Sequence, residues 1–412
     1  MPTTKRAHSF IAKITQRVAL SLFVILMIVS CGTSYDEVKS KRVDAVKKSD
    51  IINIAVIWDK VVKDFLLVEG ITQAADEINE KGGMFGRKIK IKVFYSENDD
   101  DEQRLAEKVA KDTSFAAVIG HRRGTNAIPA SIIYEYYGLL FISPSSSNNS
   151  LTNHSFEYTF RTIPSDSSVS REIAVFMKSQ GHKQVAIIDD RSISGKEIAS
   201  GVMESLADIG LATTVRRHYS PENNDFRPLC AELVKYKFDA LFIGGVLPQA
   251  AELISQARQM GIKQRVFGST AIDSRALERI AGNAANGTVV PTAFNVDLDD
   301  PTTEEFVKNF RKRYGKPPDT RAALGYDSLK ILIEAMRRGK SAEPSVVASN
   351  MRFIKNWHGV SGNYTYNLRG DIEGKKSYFK YLNQTRFIYF EAPKKAEDES
   401  KNSDGRMVAE TK

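Results

Sequence analysis

Cysteine is nearly absent. The 412-residue chain carries two, Cys31 and Cys230, too few for a disulfide framework or a Cys-x-x-Cys motif. Six histidines are scattered without metal-ligand spacing, and Gly-x-Ser-x-Gly, Walker A and His-Glu-x-x-His patterns are all missing. No enzyme, metal or cofactor is therefore expected. The loop Ser96 to Asp101 is acidic enough to suggest calcium, but it lacks the glycine and downstream glutamate of an EF-hand and reads as a solvated turn opening a helix. No dominant basic block is present either. Of the +9 formal charge, Lys5, Arg6, Lys13 and Arg17 supply four in an acid-free stretch of 30 residues. The rest is a mixed-charge surface, and nucleic acid is not expected as a partner.

The chain does have a hydrophobic content of 42%, enough for two domains of ordinary size. Its organising stretch runs from Ala116 to Ser147: a short apolar strand, a turn at Gly120, a helix of small and apolar residues, and a second apolar strand ending in Ser143-Pro144-Ser145-Ser146-Ser147. Two strands joined by a helix are parallel, so both polar loops, 120 to 126 and 143 to 149, leave one edge of the sheet. Ligands of open α/β sheets bind at that edge. The loops offer hydroxyls, backbone N–H groups and the guanidinium groups of Arg122 and Arg123, the first loop at a helix N-terminus. The same residues also suit turns and caps, or, for the arginines, a solvated rim.

The first 30 residues have a basic start and an apolar run from Ala19 to Val29, short for a membrane span and suited to an export signal. Ile28-Val29-Ser30-Cys31 resembles a lipoprotein lipobox, in which cleavage precedes the cysteine and its thiol receives diacylglycerol. The other reading is a plain signal or an uncleaved anchor. Residues 31 to 50 are poor in apolar side chains and are expected to be a tether. Cys230, spaced with Phe226, Leu229, Leu233 and Val234, reads as a buried thiol on a helix expected over Phe226 to Tyr236.

From Ile51 onward strand and helix patterns alternate, first through three βα units to Ser143 and again from Gln184 to Phe267. The runs IAVI at 54, GITQAADEINEKGGMFGRKIKI, VIGHRRGTNAIPASIIYEYYGLLFISPSSS and YTFRTIPSD at 158 resemble the type I periplasmic solute-binding proteins, closest to the leucine/isoleucine/valine-binding branch. That resemblance reaches about residue 390. It implies an α/β fold of two lobes, each a mostly parallel sheet flanked by helices, joined by three crossings near Thr162 to Ser165, Val290 to Phe294 and Met351 to Trp357. Lobe 1 would comprise 51–163 and 292–350, lobe 2 164–291 and 351–392, and residues 393–412 a disordered tail. The implied role is an exported, lipid-anchored receptor of an ABC importer that closes on a small-molecule ligand and docks on a membrane permease complex.

The resemblance also implies a set of site residues. The serine that holds the ligand carboxylate in amino-acid-binding relatives falls on Gly124, followed by Thr125, and the small-residue loop falls on Ser145, Ser146 and Ser147. Trp58, at the end of the first strand, is expected to be a pocket wall. The departures are on lobe 2: Ser194 and Val246 replace aromatic residues, and Thr270 stands where an acid would pair with the ligand ammonium. His121 is expected to be structural, as is Asp327 in Gly325-Tyr326-Asp327. A small polar or anionic ligand fits this set better than a free α-amino acid, whose buried ammonium would lack a carboxylate. The alternative is an envelope lipoprotein of the same fold that binds and regulates a protein partner.

Overall fold

The computed structural model describes residues 37–60, 66–220 and 222–390. The export signal, Cys31 and the tail beyond 393 expected from the sequence lie outside the described residues.

A helix over residues 37–48, α1, comes first. It is followed by β1 (Ile51–Asp59), α2 (Leu67–Glu80), β2 (Lys88–Ser96), α3 (Asp99–Lys111), β3 (Phe115–Gly120), α4 (Gly124–Tyr137), β4 (Leu140–Ser143), α5 (Ser150–Asn153) and β5 (Thr159–Arg161). The five strands form one sheet in the order β2-β1-β3-β4-β5, every pair parallel. β1 is buried on both faces, as its unbroken apolar run requires. Ile52, Ile54, Val56 and Trp58 enter one core and Ala55 and Ile57 the other. The acidic loop opens α3, where Asn98 accepts from Asp101 N at 2.9 Å.

The second half contains α6 (Asp166–Ser179), β6 (Gln184–Asp189), α7 (Ile193–Asp208), β7 (Ala212–His218), α8 (Arg227–Leu233), β8 (Ala240–Gly244), α9 (Gln249–Gln259), β9 (Arg265–Gly268), α10 (Ala276–Ala281) and β10 (Val289–Thr292). Cys230 is fully buried on α8, and burial pushes its thiol pKa up to about 11. That helix is shorter than its apolar spacing suggests. Three helices then run back along the first lobe: α11 (Pro301–Tyr314), α12 (Thr320–Gly339) and α13 (Pro344–Arg352), followed by the hairpin β11 (Trp357–Gly359) and β12 (Gly362–Tyr364). β13 (Tyr378–Asn383) and β14 (Arg386–Tyr389) complete a seven-stranded sheet, order β14-β13-β10-β9-β8-β6-β7, in which only the β10-β13 and β13-β14 pairs are antiparallel.

Two expectations about organisation are corrected. Met351, Ile354, Val360, Tyr364, Tyr366 and Ile372 pack in the first lobe's core. The third crossing therefore lies after Ile372 and before Tyr378, rather than at Met351 to Trp357, and of the 351–392 segment only the last strands join the second sheet. The cause is burial: these apolar and aromatic side chains gain most from the larger first core. Nor are residues 37–48 a loose tether. Arg42 is 1% exposed, and its guanidinium donates to the carbonyls of Ala110, Asp112 (3.0 Å), Phe115 (2.8 Å) and Tyr137 (3.3 Å). Those carbonyls end α3 and α4 or begin β3, so one arginine satisfies several orphan acceptors at once. Burial pulls its pKa down to about 10, which leaves the group charged near neutrality.

Candidate functional site

Parallel strands place their carboxyl ends together, and the two sheets present those ends to each other. From the first come the segments after β1, β3 and β4; from the second, those after β6, β8 and β9. Apart from Trp58, which lies within β1, every ligand-site residue expected from the sequence sits on one of these six segments.

The β3 segment is set by Gly120. Its φ is +155°, and a Cβ there would lie 2.2 Å from the Ile57 carbonyl oxygen, so only glycine lets β3 approach β1 this closely. His121 turns inward with a left-handed φ of +58°. Its Nδ1 lies 2.7 Å from Glu102 Oε1 and its Nε2 2.7 Å from Tyr134 Oη, a fully buried structural network. Arg122 then pairs through Nε with Asp59 at the end of β1, and Arg123 lies 3.4 Å from Asp99 with its side chain half exposed. Both guanidinium groups, candidates from the sequence for an anionic ligand or for a solvated rim, thus have carboxylate neighbours. The charge of Arg122 is committed within its own lobe.

Gly124 brings the β3 and β4 segments into contact: a Cβ there would meet Asn148 Cβ at 3.1 Å and Ser146 Oγ at 3.3 Å. Thr125 is exposed, and Ser145 and Ser147 are half-buried. Ser146 is 2% exposed, and its Oγ has no partner among the described residues. Trp58 lies in the first core, and its Nε1 likewise has no partner. Arg161, fully buried, donates to the carbonyls of Ser147 (2.9 Å) and Asn148 (3.0 Å) and holds this segment from below.

On the second lobe, Asp190 Oδ1 accepts from Ser192 N at 3.0 Å and from its hydroxyl at 2.5 Å, which shapes the start of α7. Asp190 Oδ2 and the Tyr219 hydroxyl are buried beside Gly245 without a partner among the described residues. Ser194 is exposed, and Ile193 and Val246 are exposed apolar side chains on the same rim. Thr270 is half-buried in the 3-10 turn after β9.

Several polar contacts cross between the lobes, among them Asp166 N to the Ser147 carbonyl (2.8 Å), Ser167 N to Asn149 Oδ1 (3.2 Å) and Thr292 Oγ1 with Thr320 Oγ1 (2.7 Å). Asn148 Nδ2 donates to Glu197 Oε2 on α7. Burial raises the Glu197 pKa, partly offset by that bond. Next to it, burial pushes the Asp166 carboxyl up to about 6, against a Ser147 hydrogen bond and Arg161. On the other side of the cleft, Thr320 Oγ1 at the start of α12 donates to Asp273 Oδ2 at 3.1 Å, and Lys380 of β13 lies 2.7 Å from Asp273 Oδ1. Burial alone would raise the Asp273 pKa, but Lys380 and Arg321 hold it below the ordinary value. Asn148, Glu197, Asp59, Asp190 and Tyr219 were not singled out from the sequence. Asp59, Asp190 and Tyr219 lie at or one residue beyond a strand end, the one signal that could have pointed to them; Asn148 and Glu197 lie farther along, in the segment after β4 and in α7.

The structure brings Gly124, Ser146 and Asn148 together and faces them toward α7. A cavity of about 380 Å³ continues from this contact between the lobes, lined by Asn149, Ser150, Ser167, Lys196 and Glu197 among others. No helix among the described residues is long and apolar enough to cross a membrane.

Comparison with known proteins gives a consistent result. The family described as "Periplasmic binding protein" matches residues 66–378. The leucine-specific-binding protein of Salmonella typhimurium is 30% identical over 308 residues, covering 74% of this chain and 82% of its own. The leucine-, isoleucine-, valine-, threonine-, and alanine-binding protein of Pseudomonas aeruginosa is 26% identical over 309 residues, 74% of this chain and 81% of its own. Among solved structures, an ABC transporter substrate-binding protein from Desulfitobacterium hafniense in complex with Leu superimposes with a TM-score of 0.76 at 31% identity, covering 82% of this chain and 99% of its own.

Proposed function

As the chain belongs to the type I periplasmic binding proteins, in the branched-chain amino acid branch of ABC-transporter substrate-binding proteins, we propose that it binds a small carboxylate-bearing solute with an aliphatic body. The family consists of exported solute-binding proteins rather than enzymes, and its members hand small ligands to ABC permeases. The finer reading is ours. The observation that carries it is the unpartnered, buried Ser146 Oγ beside Gly124 and the start of α4, facing a second lobe whose rim is apolar at Ile193 and Val246. A hydroxyl, neighbouring backbone N–H groups and a helix N-terminus suit a carboxylate. Ile193 and Val246 suit an aliphatic chain, since burying either of them removes apolar surface from water.

Within this reading Trp58, Gly124, Thr125, Ser145, Ser146 and Ser147 act from the first lobe, and Ser194, Val246 and Thr270 from the second. The proposal extends to a lipid on Cys31, which would hold the chain at the bacterial envelope membrane. A regulatory lipoprotein that docks a protein partner is the second reading. It draws on Ser194, Val246 and Thr270, three positions that lack the aromatic and acidic groups of amino-acid-binding relatives.

A thermal-shift screen of residues 33–393 against branched-chain amino acids, their 2-oxo and des-amino acids, amides and inorganic anions separates the two. A ligand at a hundred times its Kd stabilises by about 2.7 kcal/mol, a readily visible rise in Tm. A shift with an aliphatic carboxylate supports solute binding. Silence across the whole panel overturns it in favour of a protein partner.

A further inference from the structure

Several surface arginines of this chain are already paired: Arg217, Arg227, Arg313, Arg337 and Arg338 each lie against an acid. Two on the second lobe are not. Arg275 and Arg386, far apart in sequence, make no ion pair or hydrogen bond among the described residues, and both open onto one hollow of about 250 Å³.

The fold fixes that hollow between the start of α10 and the β13-β14 hairpin. β13 runs antiparallel to β10 with Tyr381 opposite Val289, so Leu382 and the hairpin turn stand where β10 begins, away from the strand ends that form the cleft. Three hydrogen bonds hold the turn there: Leu382 N to the Thr288 carbonyl (3.0 Å), Gly287 N to the Leu382 carbonyl (2.8 Å) and Gln384 N to Asn286 Oδ1 (2.8 Å). Leu277 and Ala281 of α10 share a core with Leu382. Helix and hairpin therefore belong to one body, and the hollow does not depend on the lobes being shut.

Its floor is apolar, formed by the buried Leu382 and the half-buried Phe387. Lys380 Nζ lies 4.7 Å from the centre of the Phe387 ring, but its charge is matched by Asp273 at 2.7 Å. The walls carry the two guanidinium groups, the Thr385 hydroxyl and the carboxylate of Glu278. Two arginines against one glutamate leave a net positive charge. A guanidinium with no protein partner presents a planar fork of donors that matches two oxygens of one oxyanion. Glu278 disfavours a second negative group beside it and can accept from a protonated oxygen. The volume falls below the roughly 300–1,000 Å³ of pockets for drug-sized ligands, so the occupant is small.

We propose that this hollow is a second binding site, separate from the ligand cleft, for a small phosphate-type oxyanion, free or carried on a compact apolar group. Arg275 and Arg386 hold the oxyanion, Glu278 accepts from its protonated oxygen, and Leu382 with Phe387 cover an apolar substituent.

The test titrates the full chain with inorganic phosphate and with phenyl phosphate, following Tm, against sodium chloride at matched ionic strength. Both phosphates should give a saturable rise in Tm that chloride does not give. Phenyl phosphate should half-saturate at about a three-fold lower concentration, because its ring leaves water against Phe387 and Leu382. Arg275→Met and Arg386→Met, at exposed positions, should keep the parent's Tm without phosphate and each raise the half-saturating concentration about tenfold, the loss of one charge-assisted hydrogen bond. Ser146→Ala, in the cleft, should leave the phosphate response unchanged. A rise no larger than that with chloride overturns the site. So does a response that survives both methionine variants, or one that disappears with Ser146→Ala, which would put the anion in the cleft instead.

Discussion

Asn148 on the first lobe donates its side-chain amide to Glu197 on the second, and no covalent crossing lies in the segments that carry either residue. The contact exists only while the lobes are together. Asn148→Ala should therefore open the unliganded protein, seen as a larger radius of gyration in X-ray scattering. It should also weaken ligand binding by about three- to tenfold, the size of one net hydrogen bond. Glu197→Gln keeps an acceptor and should have a smaller effect. An unchanged scattering profile for Asn148→Ala would show that the bond does not set closure.

Ser146 separates a binding role from a folding role. Its Oγ is buried without a partner among the described residues, so Ser146→Ala should leave the unliganded Tm unchanged or raise it by up to about 1 kcal/mol equivalent. The ligand-induced rise in Tm should shrink, reflecting a loss in affinity of about tenfold. A loss of basal stability with an intact ligand response would instead assign the hydroxyl to the fold.

Gly120→Ala tests the packing of the cleft edge. The added Cβ would lie 2.2 Å from a backbone oxygen of β1, and the φ of +155° is itself unfavourable for alanine. A loss of about 2–4 kcal/mol in urea unfolding is expected. A near-neutral result would mean that β3 can shift without cost.

Lys375 supplies a pH prediction. It is buried, donates to Ser361 Oγ at 2.8 Å and faces Asp327 and the Tyr364 ring. Burial pulls its pKa from 10.5 down to about 7, with Asp327 opposing. Between those values the unfolded chain binds the extra proton, so stability from this group rises as pH increases through that window, by up to about 1.4 kcal/mol per unit. Asp327 acts oppositely: burial raises its pKa, so its share is greatest in acid and is lost as pH climbs through the raised value. Lys375→Met should flatten the dependence of Tm on pH between about 7 and 10 relative to the parent protein. Parallel profiles for the two proteins would show that Lys375 keeps an ordinary pKa.

What the sequence disclosed and what it hid divide along the range of the interactions involved. The strands around Gly120, the two polar segments at their ends and the buried Cys230 follow from local apolar runs, turn residues and helical spacing. His121 was legible as structural, although its partners Glu102 and Tyr134 were not. The pairing of Arg122 with Asp59 joins residues 63 positions apart, and only the sheet order brings them together. The docking of α1 was hidden because its most buried side chain is an arginine, and a segment rich in lysine and short of leucine reads as solvated. The third crossing was misplaced because strands of three residues carry too little pattern to say which core they join.

Lys375 is also where the last crossing is tied down. Two residues beyond it, the Ser377 N–H donates to Glu172 of α6 at 2.9 Å, so this short link is clamped to Asp327 and Ser361 on one body and to Glu172 on the other. Of the remaining links, the one near Ala293 to Asp300 has more length over which to bend. Any swing of the two halves would then pivot about the clamped link. Mouth width, as a solute meets it, would be governed from a point the solute never touches.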